Sequence, residues 1–142
     1  MQCDPDLADT AAFCAAYGIP PDRTANTILV ASRRPEGRFV ACVVLATTRL
    51  DVNGTVRRRL DVKKASFASP EETVAMTGMM IGGVTPFGLG GDMMVWVDHQ
   101  VMVPEWIVIG AGTRSAKICL APDGLTRIAT AEVVKDLATS AS

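Results

Sequence analysis

Histidine is almost missing from this chain of 142 residues: His99 stands alone. One imidazole cannot build a histidine-rich metal centre, and no H-E-x-x-H pair occurs, so no metal or other cofactor is expected. The four cysteines, Cys3, Cys14, Cys42 and Cys119, form no C-x-x-C pair, which removes zinc-ribbon and thioredoxin-type spacings. Three of them lie in apolar runs, and that predicts reduced, buried thiols in a cytoplasmic protein. Aromatic residues reach only 5%, leaving Val, Ile, Leu, Met and Ala to fill the core. No apolar run approaches the ~18 residues that cross a bilayer, and Met1-Gln2-Cys3-Asp4-Pro5 lacks the basic and apolar regions of a secretory signal. No membrane partner is expected. A formal net charge of -1 argues against coating of nucleic acid by bulk charge, though it leaves room for a local basic patch. P-loop, G-x-S-x-G and dinucleotide-binding fingerprints are all absent.

What remains is an ordinary globular composition, 49% apolar and 20% charged, in a length that suits one domain over residues 1–142. Asp9 is placed to cap a helix running through Ala11, Phe13 and Ala16 until Gly18 and Pro20-Pro21 stop it. Residues 27–32 and 39–45 are β-branched, apolar and separated by Arg33-Arg34-Pro35-Glu36-Gly37, which predicts a hairpin. Asp51 caps a second helix in which Val52, Val56 and Leu60 recur every fourth residue. Residues 63–68 predict a brief strand. Ser69-Pro70-Glu71-Glu72 combines a capping box with proline at the first helical position, a helix that should end near Gly78. Residues 93–98, 107–110 and 116–121 predict strands, 122–128 a helical turn, and 131–137 a short helix or extended piece. Residues 140–142 should fray. Helices and strands mix without strict β-α-β alternation, so the class is α+β with a mixed sheet.

The chemistry-bearing stretch is residues 77–89. It holds four glycines and a proline among apolar side chains, where a linker this rich in glycine would be polar. Such glycines let backbone approach something closely. Gly82 and Pro86 frame a G-x-x-x-P pattern, whose bare amides beside a rigid proline suit a carbonyl or an oxyanion. A tight, half-buried turn between helix and strand is the plainer alternative. Gly110-Ala111-Gly112-Thr113-Arg114-Ser115 has similar composition and reads either as a hairpin turn or as the second wall of one pocket, with Arg114 free to meet a phosphate or carboxylate. Asp98 and His99 are adjacent on a strand and should face opposite ways, which speaks against one shared site. Arg57-Arg58-Arg59 with Lys63 and Lys64 is either a solvated helix face or a phosphate-contact patch.

Taken in order, these pieces resemble the YbaK/prolyl-tRNA synthetase-associated editing domains. The resemblance runs from about Cys3 to Ala138: the helix before Gly18, Asp22-Arg23-Thr24-Ala25-Asn26-Thr27-Ile28-Leu29-Val30, the strand over 39–45, Leu50-Asp51-Val52, Lys63-Lys64-Ala65, then Thr77-Gly78-x-x-x-Gly82-Gly83-Val84-Thr85-Pro86-Phe87-Gly88, Val97-Asp98 and Gly110-Ala111-Gly112. It implies a compact α+β domain that hydrolyses the ester of a wrongly attached amino acid on tRNA. It implies that Gly82, Gly83 and Pro86 form the carbonyl-holding loop, with Asn26 in the catalytic set. Val84, Thr85, Asp98, Gly110 and Gly112 are the implied substrate-binding residues, and Thr27, Arg114 and Lys64 are added to them as candidates to orient the amino acid or the terminal adenosine. The implied partner is the acceptor end of aminoacyl-tRNA, with an aminoacyl-tRNA synthetase as a second candidate; a homodimer is compatible with it.

Two departures from the family pattern matter. A lysine usually precedes the Thr-Leu-Val strand, where this chain has Asn26, which bonds in both senses but cannot neutralise a phosphate. Lys63 or Lys64 is the candidate substitute. The family also usually carries an extra helix and strand before the region matching Asp4, so one sheet edge is expected to be missing, truncated or supplied differently. Losing a charge-assisted hydrogen bond costs about 1.5–3 kcal/mol, while one oxyanion donor contributes about 2.7–4 kcal/mol. A deacylase therefore leads. A binding module that has lost catalysis, and a hydrolase of another small acyl ester, remain alternatives. Met79, Met80, Ile81 and Val84 suggest a small or medium apolar acyl group.

Overall fold

The computed structural model describes residues 1–140. Strands β1 (Ala25–Arg34) and β2 (Glu36–Leu45) form the expected hairpin, each longer than the apolar run that announced it. Antiparallel β4 (Lys64–Phe67) flanks β1, while β5 (Met94–Asp98) and β8 (Ala131–Val134) extend the sheet in parallel from β2, in the order β4-β1-β2-β5-β8. Alternation along β2 explains how this mixed sheet is buried on both sides. Val40, Cys42 and Val44 join Val30, Leu60 and Trp96 in one core, whereas Ala41, Val43 and Leu45 join Val95, Ile107 and Leu125 in the other. Burial pushes the Cys42 thiol up to about 12, which makes it an inert core residue.

The first core is closed by the segment after β3 (Thr48–Leu50). Asp51 caps it as expected, accepting from the amides of Gly54 at 3.2 Å and Thr55 at 3.0 Å. The first turn is wide, however: Val56 N–H reaches the Asp51 carbonyl at 3.1 Å, five residues back, and only α2 (Arg57–Leu60) is α-helical. The stretch 131–137 resolves as extended, forming β8. Asp136 then turns the chain in the left-handed region at φ 58°, and β9 (Ala138–Ser140) pairs with β3. Ser140 is thus held opposite Thr48 rather than frayed; the remainder of that expectation, 141–142, lies outside the described residues. Residues Pro122–Arg127 form the expected helical turn.

The second core carries a smaller antiparallel pair, β6 (Ile107–Gly110) and β7 (Lys117–Leu120), joined to the start of β1 by a bridge between Thr24 and Val108. Helix α1 (Thr10–Tyr17) packs Phe13 and Cys14 against Val108 and is closed by Gly18 at φ 67°. Cys3, Cys14 and Cys42 are buried and Cys119 is exposed. No described helix is long and apolar enough to cross a membrane.

Helix α3 (Pro70–Thr77) begins with the complete capping box between Ser69 and Glu72. The Glu72 carboxylate also takes both terminal nitrogens of Arg33, at 2.9 and 2.8 Å. Arg33 first, then the Ser69 amide, lowers the Glu72 carboxyl from 4.5 to about 2. A carboxyl held down in the folded state adds stability above its ordinary value and loses it as pH falls towards the folded one. Glu72→Gln is therefore expected to flatten the acid limb of stability between pH 4.5 and 2, read as urea midpoints.

Candidate active site

Helix α3 ends where Gly78 takes φ 74° and donates to the Val74 carbonyl. The glycine loop that follows is held by its carbonyls. Arg114 Nη1 donates to Ile81 O at 2.7 Å, Lys117 Nζ to Gly82 O at 2.8 Å, and the Gly112 amide to Gly83 O at 2.7 Å. In a trans peptide the C=O of one residue and the N–H of the next point in opposite directions. Tying down three consecutive carbonyls therefore turns the amides of Gly82, Gly83 and Val84 the other way. Gly83 spends its amide on Met80 O at 2.9 Å. Among the described residues the amides of Gly82, Val84 and Thr85 have no partner.

What the glycines approach is the second glycine turn. A β-carbon on Gly110 would lie 2.2 Å from Val84 O, and one on Gly83 would lie 2.6 Å from the Thr113 carbonyl carbon. Gly82 and Gly112 sit at φ 93° and 98°, where a side chain is strained. The two glycine stretches thus form two walls of one pocket rather than separate turns.

That pocket is a cavity of about 350 Å³ between the start of β1, the start of α1, the glycine loop and the end of β6. Gly82, Val84 and Gly110 line it, with Asn26 and Thr27 opposite on β1. Asn26 Oδ1 accepts from Thr10 Oγ1 at 2.6 Å, so its side chain is oriented by α1. The Thr27 hydroxyl is buried without a partner among the described residues. Phe13 closes the inner end, and Phe67 stands half-exposed in the wall.

Several expected site residues are elsewhere. Gly83 is part of the loop but its amide is taken, and Pro86 and Thr85 are buried outside the cavity wall. Gly112 acts by holding Gly83 O. Arg114 lies outside the cavity wall and braces the loop, its Nε donating to Pro5 O at 3.0 Å and its Nη1 to Asp9 at 3.0 Å and Ile81 O at 2.7 Å. The same pairing explains why Asp9, though at the helix start, makes no side-chain cap. Asp98 is fully buried; its Oδ1 accepts from the Ala138 amide at 3.2 Å, and no atom of it reaches the cavity. His99 Nδ1 lies 3.4 Å from that carboxylate yet accepts from the Asp136 amide at 3.2 Å, so the pair is structural. Lys64 is exposed opposite Arg34, which lies eight positions from Asn26 along β1, or about 26 Å at ~3.3 Å per residue. Neither Lys64 nor its neighbour Lys63 replaces a cation at Asn26. The arginine run is a solvated face: Arg57 donates to Asn53 O, and Arg59 lies over Trp96 and pairs with Glu132.

Sequence reasoning missed Lys117. Its ammonium lines the cavity, donates to Ala8 O and Gly82 O at 2.8 Å each, and sits 5.4 Å from the Phe13 ring centre. Burial lowers its pKa from the ordinary 10.5. No motif marks it, since a lysine opening an edge strand is unremarkable; only the tertiary contact of β7 with the loop does. No group of His, Cys, Asp and Glu among the described residues suits a metal ion.

With this geometry in view, a family model described as an aminoacyl-tRNA editing domain matches residues 4–128. The uncharacterized protein YwhH of Bacillus subtilis is 32% identical over 120 residues, covering 84% of this chain and 74% of that one. A proline–tRNA ligase of Nitratidesulfovibrio vulgaris is 31% identical over 124 residues, 87% of this chain but only 20% of the ligase. A solved structure described as a candidate trans-editing enzyme for prolyl tRNA synthetase superposes with a TM-score of 0.81 at 21% identity, over 95% of this chain and 83% of the other. A hypothetical protein of known structure gives 0.81 at 24% identity, over 92% and 84%. These two likenesses bear on the fold.

Proposed function

Because the chain belongs to the aminoacyl-tRNA editing domain family, we propose that its cavity hydrolyses the ester joining a wrong amino acid to the end of tRNA. The observation that carries this reading is that Gly82 and Val84 line the cavity and that their amides have no partner among the described residues. In this reading they hold the ester carbonyl and receive the negative charge that develops on its oxygen when water attacks. The carbon–oxygen bond to the ribose then breaks, its oxygen takes a proton, and the amino acid leaves as a free carboxylate. No side-chain nucleophile enters, and none is required: the ester is already activated, and one well-placed oxyanion donor contributes about 2.7–4 kcal/mol. Asn26 and Thr27 orient the amino acid or the terminal ribose. No cofactor takes part. Aminoacyl-tRNA is the partner, with a synthetase as the source of the mischarged substrate.

Incubation with a panel of mischarged tRNAs tests this, beginning with tRNA for proline because one relative is a proline–tRNA ligase. Release of amino acid well above buffer is expected for at least one member, weakening steeply with added salt as RNA contacts do. No release across the panel rejects the deacylase. Binding of a non-hydrolysable aminoacyl-adenosine without any release would instead establish a binding module, and turnover indifferent to salt would point to a small acyl ester.

A further inference from the structure

We propose that Lys117 is the cavity's ligand-binding cation, donating its third N–H to an oxygen of the aminoacylated terminal nucleoside. This rests on the deacylase reading and deepens it. Of the described residues lining the cavity, Lys117 is the one lysine or arginine. An ammonium group has three donors. Two are committed, to Ala8 O and Gly82 O at 2.8 Å each, and the Phe13 ring flanks the group at 5.4 Å. The third donor has no partner among the described residues.

The same contact sets the loop. By holding Gly82 O, Lys117 fixes the peptide plane that sends the Gly83 amide to Met80 O, between the open amides of Gly82 and Val84. One cavity is therefore lined by a cation and by two residues whose amides have no partner among the described residues, the combination that an oxygen-rich ligand with a polarised carbonyl needs. Asn26, on the opposite wall, has its Oδ1 occupied by Thr10 and brings no charge.

The clamp and the binding role respond differently to pH. A neutral amine keeps two N–H donors, enough for the two carbonyls; deprotonation removes only the third donor and the charge. The groups that face Lys117 are Asp9 and Arg114 beside the loop, Cys3 in the N-terminal segment and Cys14 on α1. Since burial lowers the Lys117 pKa, the charge is lost as pH rises, below the ordinary lysine value of 10.5.

The test is calorimetric titration of the intact protein with an amide-linked aminoacyl-adenosine, which does not hydrolyse at alkaline pH. Wild-type affinity should fall as pH rises through the lowered lysine range, about tenfold or more for loss of one charge-assisted contact. Lys117→Arg, which stays charged, should lose that pH dependence, and Lys117→Met should weaken binding by a similar or larger factor at pH 7. Affinity that is flat with pH in the wild type, or equal in wild type and Lys117→Met, overturns the Lys117 assignment and leaves the deacylase reading standing. A wild-type protein that fails to bind the analogue and fails to deacylate the panel overturns both.

Discussion

Gly110→Ala is expected to lower deacylation by about a hundredfold while leaving a folded protein. The added β-carbon would stand 2.2 Å from Val84 O and 2.9 Å from the Val84 carbonyl carbon, both backbone atoms of the loop. Neither can swing aside as a side chain would, so the loop and the end of β6 must separate by about an ångström. A displacement of that size at a catalytic donor costs roughly 10²-fold in rate. Overpacking of this kind costs about 1–3 kcal/mol of stability. Gly90→Ala is the matched control: a β-carbon there meets nothing within 4 Å, its φ lies outside the left-handed region, and an effect within about 0.5 kcal/mol is expected. Single-turnover release from a mischarged tRNA and a urea titration of each variant check the pair. Unchanged release in a stably folded Gly110→Ala would mean that the spacing of the two glycine walls does not govern the chemistry.

The architecture was legible wherever one local signal decided the structure. The capping box at Ser69 and the glycine after α1 are chemical instructions that act within one turn. The hairpin of β1 and β2 followed from two apolar runs around a turn. Illegible were the elements whose partner lies far along the chain. Strand β8 reads weakly because Ala131 and Glu132 carry little β preference; it is a strand because β5 offers it a parallel edge. Strand β9 exists because β3, some ninety residues earlier, leaves an edge unpaired. The wide turn after Asp51 was hidden for another reason: a fourfold spacing of Val52, Val56 and Leu60 suits a turn of either width.

The site divided in the same way. Glycine density and the G-x-x-x-P pattern pointed to a loop that makes a close approach, and the loop does pack backbone on backbone against Gly110. The pattern carried no information on which amides stay open, because that depends on Arg114, Lys117 and Gly112 arriving from another hairpin. Charged residues misled for the same reason. Arg114 and Asp98 have side chains suited to a ligand, but neither lines the cavity: Arg114 braces the loop through Asp9 and two carbonyls, and Asp98 is buried with Oδ1 on the Ala138 amide and Oδ2 without a partner among the described residues. Lys64 stands in an obvious basic run and faces solvent, while Lys117, isolated in the sequence, lines the cavity.

Phe13 is where stability and selectivity meet. Its ring is fully buried, lies 5.1 Å from the Tyr17 ring, supports Lys117 and closes the cavity's inner end. Phe13→Ala is expected to cost about 3–5 kcal/mol, the usual range for emptying an aromatic core position. Against a total of about 5–15 kcal/mol for a domain, that is enough to leave a substantial unfolded population at 37 °C. Phe13→Leu should cost less, since leucine refills most of the volume, and it makes the functional test possible. It lengthens the cavity by the outer half of the ring without touching the Gly82 or Val84 amides. The expected result is therefore a change in which acyl group is cleared rather than in whether one is cleared: bulkier amino acids should gain in kcat/KM relative to the preferred one. One methylene of fit corresponds to about 1–3 kcal/mol, so the ratio should move by roughly tenfold or more. Denaturant titration of both variants and competition between two mischarged tRNAs on Phe13→Leu measure the two effects separately. A ratio that stays fixed while stability falls would place the acyl group away from the Phe13 end, towards Phe67 and the mouth of the cavity.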